Sequence, residues 1–245
     1  MSLSIIDIKE GAFFISDAHY SASRPELYDF LKDIDSKVLQ PSQLIFMGDI
    51  FDALFGGVPR TYTENQQVID LIDKLSLEIE VVYLEGNHDF NLKKVFENAK
   101  VFSIDVQPIS CDFNGKKVYL AHGDFTGTLL YKVYTAVVRT KAVLALLNIL
   151  NILLNNSILN RLEKYLSKKK DCTDIKTFEQ IIKNRLDTKY ECEYFVEGHF
   201  HQNKFIKYNG FKYFNLAAFA CNQRYFIVKS SHEELFVERK FSKGT

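Results

Sequence analysis

The sequence predicts an α/β protein with a layered α+β architecture, in which two β-sheets form a sandwich flanked by helices. In the front half of the chain, short apolar segments alternate with helical stretches, as they do in α/β sheets. From Glu193 onward, apolar segments follow one another with only turns between them, which indicates a second sheet or the completion of the first. With 245 residues, 47% of them apolar, the chain can bury a large core as one domain over residues 1–245.

Four short segments of the front half have the composition of buried strands. They are rich in β-branched and aromatic residues, and most are followed at once by Asp, Gly, Asn or His. These segments are residues 11–16, 43–47, 80–84 and 117–121. Helices are expected between the first three, at 25–38 and about 63–77. In such sheets functional groups collect where strands end.

The last fifty residues read as a run of strands. The segments EYFVEG, KFIKYNG, KYFNLAAF, RYFIVKS and ELFVERK are separated by turn signals at 209–210 and 230–231.

Residues 125–190 lack the strand-like segments found before and after them, which predicts an inserted helical cap or lid. The segment has no proline, no glycine after Gly127 and no strand-like run, so we expect three or four helices. It contains 12 Lys or Arg against 5 Asp or Glu, whereas the whole chain is neutral. The insertion is therefore basic and the remainder acidic.

An uncharged stretch within the insertion, residues 142–160, is nearly long enough to span a bilayer. Asn148, Asn151 and Asn155 recur at helical spacing, and amides in lipid are costly. We therefore expect one amphipathic helix rather than a transmembrane one. Its apolar face could pack on the core, which composition favours, form an apolar groove, or touch a membrane surface.

Charge, cysteines and the N-terminus set further expectations. A net charge of zero argues against a nucleic-acid binder. The four cysteines, at 111, 172, 192 and 221, form no CxxC pair, so we expect reduced structural thiols rather than disulfides or a zinc knuckle. The N-terminus has acidic residues where a signal peptide needs basic ones, which favours a cytoplasmic location.

Five of the six histidines lie in short clusters that directly follow apolar segments; His232 is the exception. The clusters are Asp17-Ala-His19, Gly48-Asp49-Ile-Phe-Asp52, Gly86-Asn87-His88-Asp89, His122-Gly123-Asp124 and Gly198-His199-Phe200-His201. A single histidine is more often a hydrogen-bonded structural residue than a ligand. Five coincident clusters at strand ends instead predict one shared site.

The ligand types in these clusters are oxygen and nitrogen without thiolate, which suits Mn, Zn, Fe, Mg or Ni. Asp17 and His19 stand two residues apart, so an extended strand end would direct both to one ion, and His199 and His201 repeat this spacing. Seven ligands exceed the needs of one ion. Two metals that share a bridging carboxylate are the economical arrangement.

Five motifs between residues 17 and 201 resemble, in type and order, those of the calcineurin-like metallophosphoesterase superfamily. They are D-x-H, GD-x-x-D, GNHD, HGD and GHFH. The resemblance implies that Asp17, His19 and His201 hold one metal, that Asn87, His122 and His199 hold the other, and that Asp49 bridges them. It implies that His88 is the catalytic histidine, which Asp89 orients, and that the metals are two divalent ions, with Mn²⁺ the expected one. Asp52 and Asp124 could each support a metal-bound histidine or cap a loop.

A narrower resemblance is to the UDP-2,3-diacylglucosamine pyrophosphatases of lipid A synthesis. It rests on the motifs GDIFD, GNHDF and HGD, which are followed by a basic apolar insertion and then by GHFHQ. That resemblance implies hydrolysis of a nucleotide-linked lipid to UMP and an acylated sugar 1-phosphate, by a bacterial protein peripheral on the cytoplasmic face of the inner membrane. The insertion would shield acyl methylenes, each worth about 0.8 kcal/mol. Expected substrate contacts are Asn87, His88, Arg139, Lys141, Arg161, Lys164 and the run at 168–170. Well-known members carry Arg where this chain has His88.

Three alternatives stay open at the level of sequence. A soluble phosphoesterase could act on a nucleotide or phosphoprotein, with residues 125–190 as a structural cap. A scaffold that has lost catalysis is disfavoured because no ligand is missing. A nuclease has little support, since the basic residues of the insertion are interleaved with Leu and Ile rather than with aromatics that stack on bases. Oligomeric state is not predicted.

Overall fold

The structure is a computed structural model that describes residues 6–124, 129–168, 172–186, 190–208, 210–230 and 235–242, with the backbone alone for 129, 131 and 132. His232 lies outside the described residues, as do residues 169–170 of the basic run and residues 209 and 231 of the two expected turns.

Fourteen strands and seven α-helices make up the described part of the chain. The strands are β1 Ile6–Asp7, β2 Phe13–Ile15, β3 Gln43–Phe46, β4 Leu54–Phe55, β5 Glu80–Leu84, β6 Asp89–Phe90, β7 Lys100–Phe102, β8 Ile109–Phe113, β9 Lys116–Ala121, β10 Tyr194–Glu197, β11 Lys204–Tyr208, β12 Phe211–Asn215, β13 Arg224–Val228 and β14 Phe236–Lys240. The helices are α1 Glu26–Asp35, α2 Pro59–Ser76, α3 Leu129–Val138, α4 Lys141–Leu153, α5 Ser157–Leu166, α6 Phe178–Leu186 and α7 Phe219–Asn222.

Two six-stranded sheets confirm the predicted sandwich. One has the order β14-β13-β2-β3-β5-β7 and the other β1-β8-β9-β10-β12-β11, while β4 and β6 form a separate pair. The strands after residue 193 do not form a sheet of their own. β10, β11 and β12 extend the second sheet, whereas β13 and β14 complete the edge of the first.

The central strands of the first sheet are buried on both faces. Phe13 and Ile15 of β2 pack in the core shared with α1 and α2, whereas Phe14 between them packs in the core shared with the second sheet. β3 and β5 alternate in the same way, as the two-residue period of a strand requires. A third core joins the second sheet to α6. The layers are therefore helix, sheet, sheet and helix.

Parallel pairing brings the candidate site together. β2, β3 and β5 run parallel in one sheet, and β9, β10 and β12 run parallel in the other. Since parallel strands end at the same edge of their sheet, the loops that follow them lie close to one another.

Four helices, α3 to α6, occupy the segment expected to be a helical insertion. The expected single helix over 142–160 is wrong, because the chain turns between α4 and α5. Asn155 and Asn156 adopt the left-handed backbone there, with φ of 50° and 62°, a conformation that Asn tolerates better than most residues. Buried Asn151 holds the turn, since its amide donates to Asn156 Oδ1 at 2.9 Å and accepts from the Leu159 backbone N–H at 3.1 Å.

Among the described residues no individual helix has the length and apolar character to cross a bilayer, although α4 and α5, bent by 103° at their junction, pass that test together.

A disulfide joins Cys172, in the loop before α6, to Cys221 in α7. The expectation of four reduced thiols is therefore wrong for this pair. Their Cα atoms lie 5.8 Å apart although 49 residues separate them in sequence, a proximity that spacing along the chain does not reveal. Cys111 and Cys192 are free thiols.

Phe30 of α1 supports a first prediction, because its fully buried ring contacts Phe13, Phe219, Tyr225 and Phe241. Phe30→Ala should lower the free energy of unfolding by about 3–5 kcal/mol, since the lost ring leaves a cavity. Urea denaturation measures this. Leu77→Ala, at a side chain 73% exposed, is the control and should change stability little. Equal effects of the two would contradict the assigned core.

Candidate metal centre

Loops after five strands carry the predicted metal ligands to one edge of the sandwich. Asp17 and His19 follow β2, Asp49 follows β3, Asn87 follows β5, His122 follows β9, and His199 and His201 follow β10. Asp17 and His19 do fall in one cluster, but the expected extended backbone is wrong, because five of the seven residues have left-handed backbones. Their φ angles are 49° at Asp17, 45° at His19, 51° at Asp49, 62° at His199 and 59° at His201.

The first cluster consists of Asp17, His19 and His201, whose ligand atoms all lie within 4.8 Å of one another. His201 Nε2 is 3.0 Å from Asp17 Oδ1. The Asp17 carboxylate also accepts hydrogen bonds from the Ser16 hydroxyl and from the His199 backbone N–H. These contacts fix the orientation of the carboxylate beside both imidazoles.

The second cluster consists of Asp49, His122 and His199, again with ligand atoms within 4.8 Å of one another. His122 Nε2 lies 3.4 Å from Asp49 Oδ2 and 3.4 Å from Asn87 Oδ1. Asn87 therefore joins this cluster. His199 falls here while His201 falls in the first cluster, so the two do not share an ion as their spacing suggested.

The ring nitrogens of His19 and His122 are suited to bind metal ions. Asp52 Oδ1 lies 3.3 Å from His19 Nδ1, but neither ring nitrogen of His19 makes a hydrogen bond of good geometry among the described residues, although the ring is 1% exposed. An unsatisfied buried imidazole is costly, and a metal would satisfy it. His122 Nδ1 lies 2.9 Å from the Met47 carbonyl, which can only accept. In the neutral ring Nδ1 therefore carries the proton, and Nε2 has the lone pair that a metal needs. Burial opposes protonation of His122, but Asp49 raises its pKa well above the ordinary value, so a bound cation would replace a proton on Nε2.

Electrostatics in the site favour ionised carboxylates and a neutral His199. Burial tends to raise the pKa of Asp17, but His201 outweighs it and holds that pKa below its ordinary range. Burial likewise opposes ionisation of Asp49, yet His122 and His88 bring its pKa well below the usual value. Burial and His122 lower the pKa of His199 to about 3. Neutral imidazole is the form that coordinates metals.

Two glycines permit the loops to approach this closely. A Cβ on Gly86 would collide with the Asp49 carboxylate and with its backbone nitrogen, 2.6 Å away. A Cβ on Gly198 would collide with Ser16 Oγ and stand 2.6 Å from Asp17 Oδ2. Since real Cβ atoms do not approach so closely, both positions require glycine for steric reasons.

Asp89 does not orient His88, which corrects the role that the resemblance implied. Its carboxylate accepts hydrogen bonds from the Tyr83 hydroxyl at 2.6 Å and from the backbone N–H groups of residues 49, 50, 51 and 86. It thereby ties the loop after β3 to the loop after β5. The ring of His88 is held by a different group, the Asp52 carbonyl, which lies 2.9 Å from Nδ1.

Asp52 and Asp124 have different surroundings. Asp52 Oδ1 lies 3.3 Å from His19 Nδ1, and Oδ2 lies 3.4 Å from an Arg24 nitrogen, which agrees with the interpretation of Asp52 as a support for a ligand histidine. Asp124 Oδ2 lies 3.5 Å from Arg139 and links the loop after β9 to the insertion.

The expected substrate contacts divide into two groups. Arg139 lies against the site, since it donates to the Gly86 carbonyl at 2.9 Å, and it lines a cavity together with Asn87 and His88. Lys164 lines a second cavity. Lys141 and Arg161 are exposed and line neither cavity, so the structure does not bring them to the site.

Three polar residues that support the site were not among the predicted site residues. The Asn215 amide spans the ends of the GHFH loop, accepting from the Gln202 N–H at 2.7 Å and donating to the Gly198 carbonyl. The side chain of Gln107 accepts from the His122 N–H at 2.6 Å. Tyr83 donates to Asp89. Asn215 stands at a strand end, which was a usable signal, whereas the other two had none.

The chain is similar to known metal-dependent phosphoesterases and to hydrolases of a UDP-linked lipid. The family model described as calcineurin-like phosphoesterase matches residues 12–203. The chain is 32% identical over 135 residues to the UDP-2,3-diacylglucosamine hydrolase of Histophilus somni, covering 53% of this chain and 56% of the relative. It is 32% identical over 133 residues to that of Stenotrophomonas maltophilia, covering 53% of each. The chain thus spans about half the length of these curated relatives.

Among solved structures the chain resembles the E. coli phosphoesterase Yfce, with a TM-score of 0.48 and 12% identity. The match covers 94% of this chain and 99% of that one.

The chain belongs to the calcineurin-like phosphoesterase family. This confirms the predicted superfamily, and the two sheets with their flanking helices confirm the predicted fold class. The metal-ligand and catalytic roles of individual residues stay predictions.

Asp49→Asn should abolish tight binding of divalent metal and reduce phosphodiester hydrolysis by orders of magnitude while the fold is retained. Asp49 belongs to the second cluster and acts electrostatically on Asp17 of the first, so the change removes one negative charge from the site while it preserves shape. Calorimetric titration with Mn²⁺ and turnover of bis(p-nitrophenyl) phosphate measure the two effects. Asp70→Asn, at an exposed residue of α2, is the control. Wild-type metal binding by Asp49→Asn would contradict the assignment.

Proposed function

We propose that this protein is a dimetal phosphohydrolase, with Mn²⁺ as its metal, that cleaves the pyrophosphate of UDP-2,3-diacylglucosamine to UMP and the acylated sugar 1-phosphate. The observation that supports this substrate is an apolar groove that begins at the candidate metal centre. The named relatives, which the chain matches over about half their length, are hydrolases of the same compound.

The groove has a volume of about 760 Å³ and lies between the body of the protein and helices α3, α4 and α5. Its walls are mostly aliphatic, and the lining includes Val138, Val143, Leu144, Leu147, Leu159 and Leu162. One end is polar, formed by Asp52, Asn87, His88 and Arg139. A molecule with a phosphate at this end and long acyl chains beyond it would satisfy both parts of the groove.

The apolar walls stabilise acyl chains by removing their methylenes from water, at about 0.8 kcal/mol for each CH₂. The polar end suits phosphate. Arg139 stacks over the Phe90 ring, 5.3 Å from its centroid, and is tied to Gly86, so its guanidinium is held in place beside Asn87. A fixed guanidinium offers planar donors to phosphate oxygens.

Asp17, His19, Asp49 and His201 would hold one cation, and Asp49, Asn87, His122 and His199 the other. Such a pair neutralises phosphate charge and lowers the pKa of a bound water. His88 lies beside them, with Nε2 3.9 Å from Asp49 Oδ2. Because Nδ1 must donate to the Asp52 carbonyl, Nε2 is the atom that faces substrate. In its protonated form it donates to a phosphoryl or leaving-group oxygen.

Leu147→Glu should raise the KM for a monomeric, short-acyl UDP-2,3-diacylglucosamine by roughly tenfold or more, since a carboxylate in the groove opposes burial of the chain. The control is Leu146→Glu, because Leu146 is the neighbouring residue of α4, is 57% exposed and does not line the groove. Steady-state release of UMP measures both.

Two results would contradict this substrate. Equal KM values for the two variants would remove the groove from acyl recognition. Comparable wild-type turnover of a water-soluble diester and of the diacylated UDP-sugar would favour the alternative, a soluble phosphoesterase for which the insertion is only a cap.

We further propose that the protein works as a peripheral protein on the cytoplasmic face of the inner membrane, where a diacylated substrate resides. The insertion exposes large apolar side chains that include Leu130 at 80%, Leu153 at 72% and Tyr134 at 62%. The same segment, 125–190, has an excess of basic residues. Apolar side chains interspersed with cations suit the surface of an anionic bilayer.

Leu153→Glu should weaken cosedimentation with vesicles of phosphatidylglycerol and phosphatidylcholine, because it removes an apolar contact and adds repulsion from anionic lipid. Leu77→Glu is the matched control, since Leu77 is 73% exposed and lies at the end of α2, outside the insertion. Cosedimentation that is equal for both variants, or absent in the wild type, would contradict the peripheral location.

A further inference from the structure

A second cavity, of about 640 Å³, lies on the other side of Asp52 from the apolar groove. The turn at 20–23 after β2 forms one wall and α5 forms the opposite wall. Asp52 and Leu166 line both cavities. Because the Asp52 carboxylate is 3.3 Å from His19, the two cavities meet beside the candidate metal centre. The volume is within the range of about 300–1,000 Å³ that is typical of small-ligand sites.

The lining of this cavity is rich in hydrogen-bond acceptors. Asp52, Glu64 and Glu163 contribute carboxylates, while Lys164 is the one cation among the described lining residues. Arg60, which is not part of the lining, pairs with both glutamates at 2.6 and 3.2 Å and offsets their charge. The lining therefore suits a ligand group that carries hydrogen-bond donors.

Asn65 fixes one acceptor in place. The residue is 6% exposed, and its amide nitrogen donates to the Ala53 carbonyl at 3.0 Å and the Thr61 carbonyl at 2.8 Å. Both N–H groups are thereby used. The Oδ1 atom is left as a preorientated acceptor at the cavity wall, with no hydrogen bond from the part of the chain that the structure describes.

Tyr20 supplies an aromatic wall beside these acceptors. It directly follows His19, and its ring packs edge-on against Phe51 with the centroids 5.9 Å apart. A planar base can stack on such a ring. The hydroxyls of a ribose can donate to the carboxylates, and a base N–H can donate to Asn65 Oδ1.

We propose that this cavity binds the nucleoside part of the substrate, while the apolar groove holds the acyl chains. The inference rests on the proposed function, since it requires a nucleotide joined through its phosphate to a lipid. With the reacting phosphate at the metal centre, the two halves of such a molecule extend in different directions from it. The nucleoside enters the acceptor-rich cavity, and the chains enter the groove.

The test is calorimetric binding to the Mn²⁺-loaded full chain. The wild type should bind UMP roughly tenfold or more tightly than inorganic phosphate or glucosamine 1-phosphate. Ala22→Trp and Asn160→Trp fill the cavity from opposite walls at exposed positions, and each should remove that preference and raise the KM for the UDP-linked substrate. Val38→Trp, at a side chain 69% exposed and distant in sequence from both walls, is the control and should keep the wild-type preference.

The outcomes separate this inference from the proposed function. If the wild type hydrolyses the diacylated UDP-sugar but binds UMP no better than phosphate, or if both Trp variants keep the preference, the nucleoside assignment is overturned and the proposed function stands. Preferential loss of glucosamine 1-phosphate binding would assign the cavity to the sugar and also overturn it. UMP binding that depends on the cavity, without turnover of the lipid substrate, would support the nucleoside site and contradict the proposed function.

Discussion

The burial of Asp17 and Asp49 among four imidazoles is the constraint on which the rest of the structure depends. Two carboxylates that are at most 2% exposed are costly unless they are paired. His19 comes from the same loop as Asp17, and the other histidines come from the loops after β9 and β10. Glycines at 86 and 198 let the loops of the site approach within contact distance. The two sheets serve this arrangement, since their parallel strands end at the same edge.

Buried polar side chains outside the two clusters hydrogen-bond the backbone of the loops that carry the predicted ligands. Asp89 draws the loops after β3 and β5 together through four backbone N–H groups and Tyr83, and burial together with Asp49 raises its pKa to about 7. Asn215 plays the equivalent part for the GHFH loop. Residues of α5, in the insertion, line both the apolar groove and the acceptor-rich cavity.

Sequence alone predicted the two-sheet fold, most of the strands and every residue of the two clusters, because strand ends marked by Asp, Asn, Gly and His are local signals. It did not predict the break after Leu153, since Asn155 and Asn156 also suit a helical polar face. The Cys172–Cys221 bridge depends on contacts between segments 49 residues apart, which spacing cannot reveal. The role of Asp89 was misjudged because its partners are backbone groups, which a motif does not display.

The proposed dimetal centre requires two cations that share Asp49. Anomalous diffraction from crystals of the Mn²⁺-loaded protein, recorded at the manganese edge, tests it most directly. Two peaks are predicted, one beside Asp17, His19 and His201, the other beside Asn87, His122 and His199, with Asp49 contacting both. A single peak, or two peaks of which either is out of reach of the Asp49 carboxylate, would contradict the account.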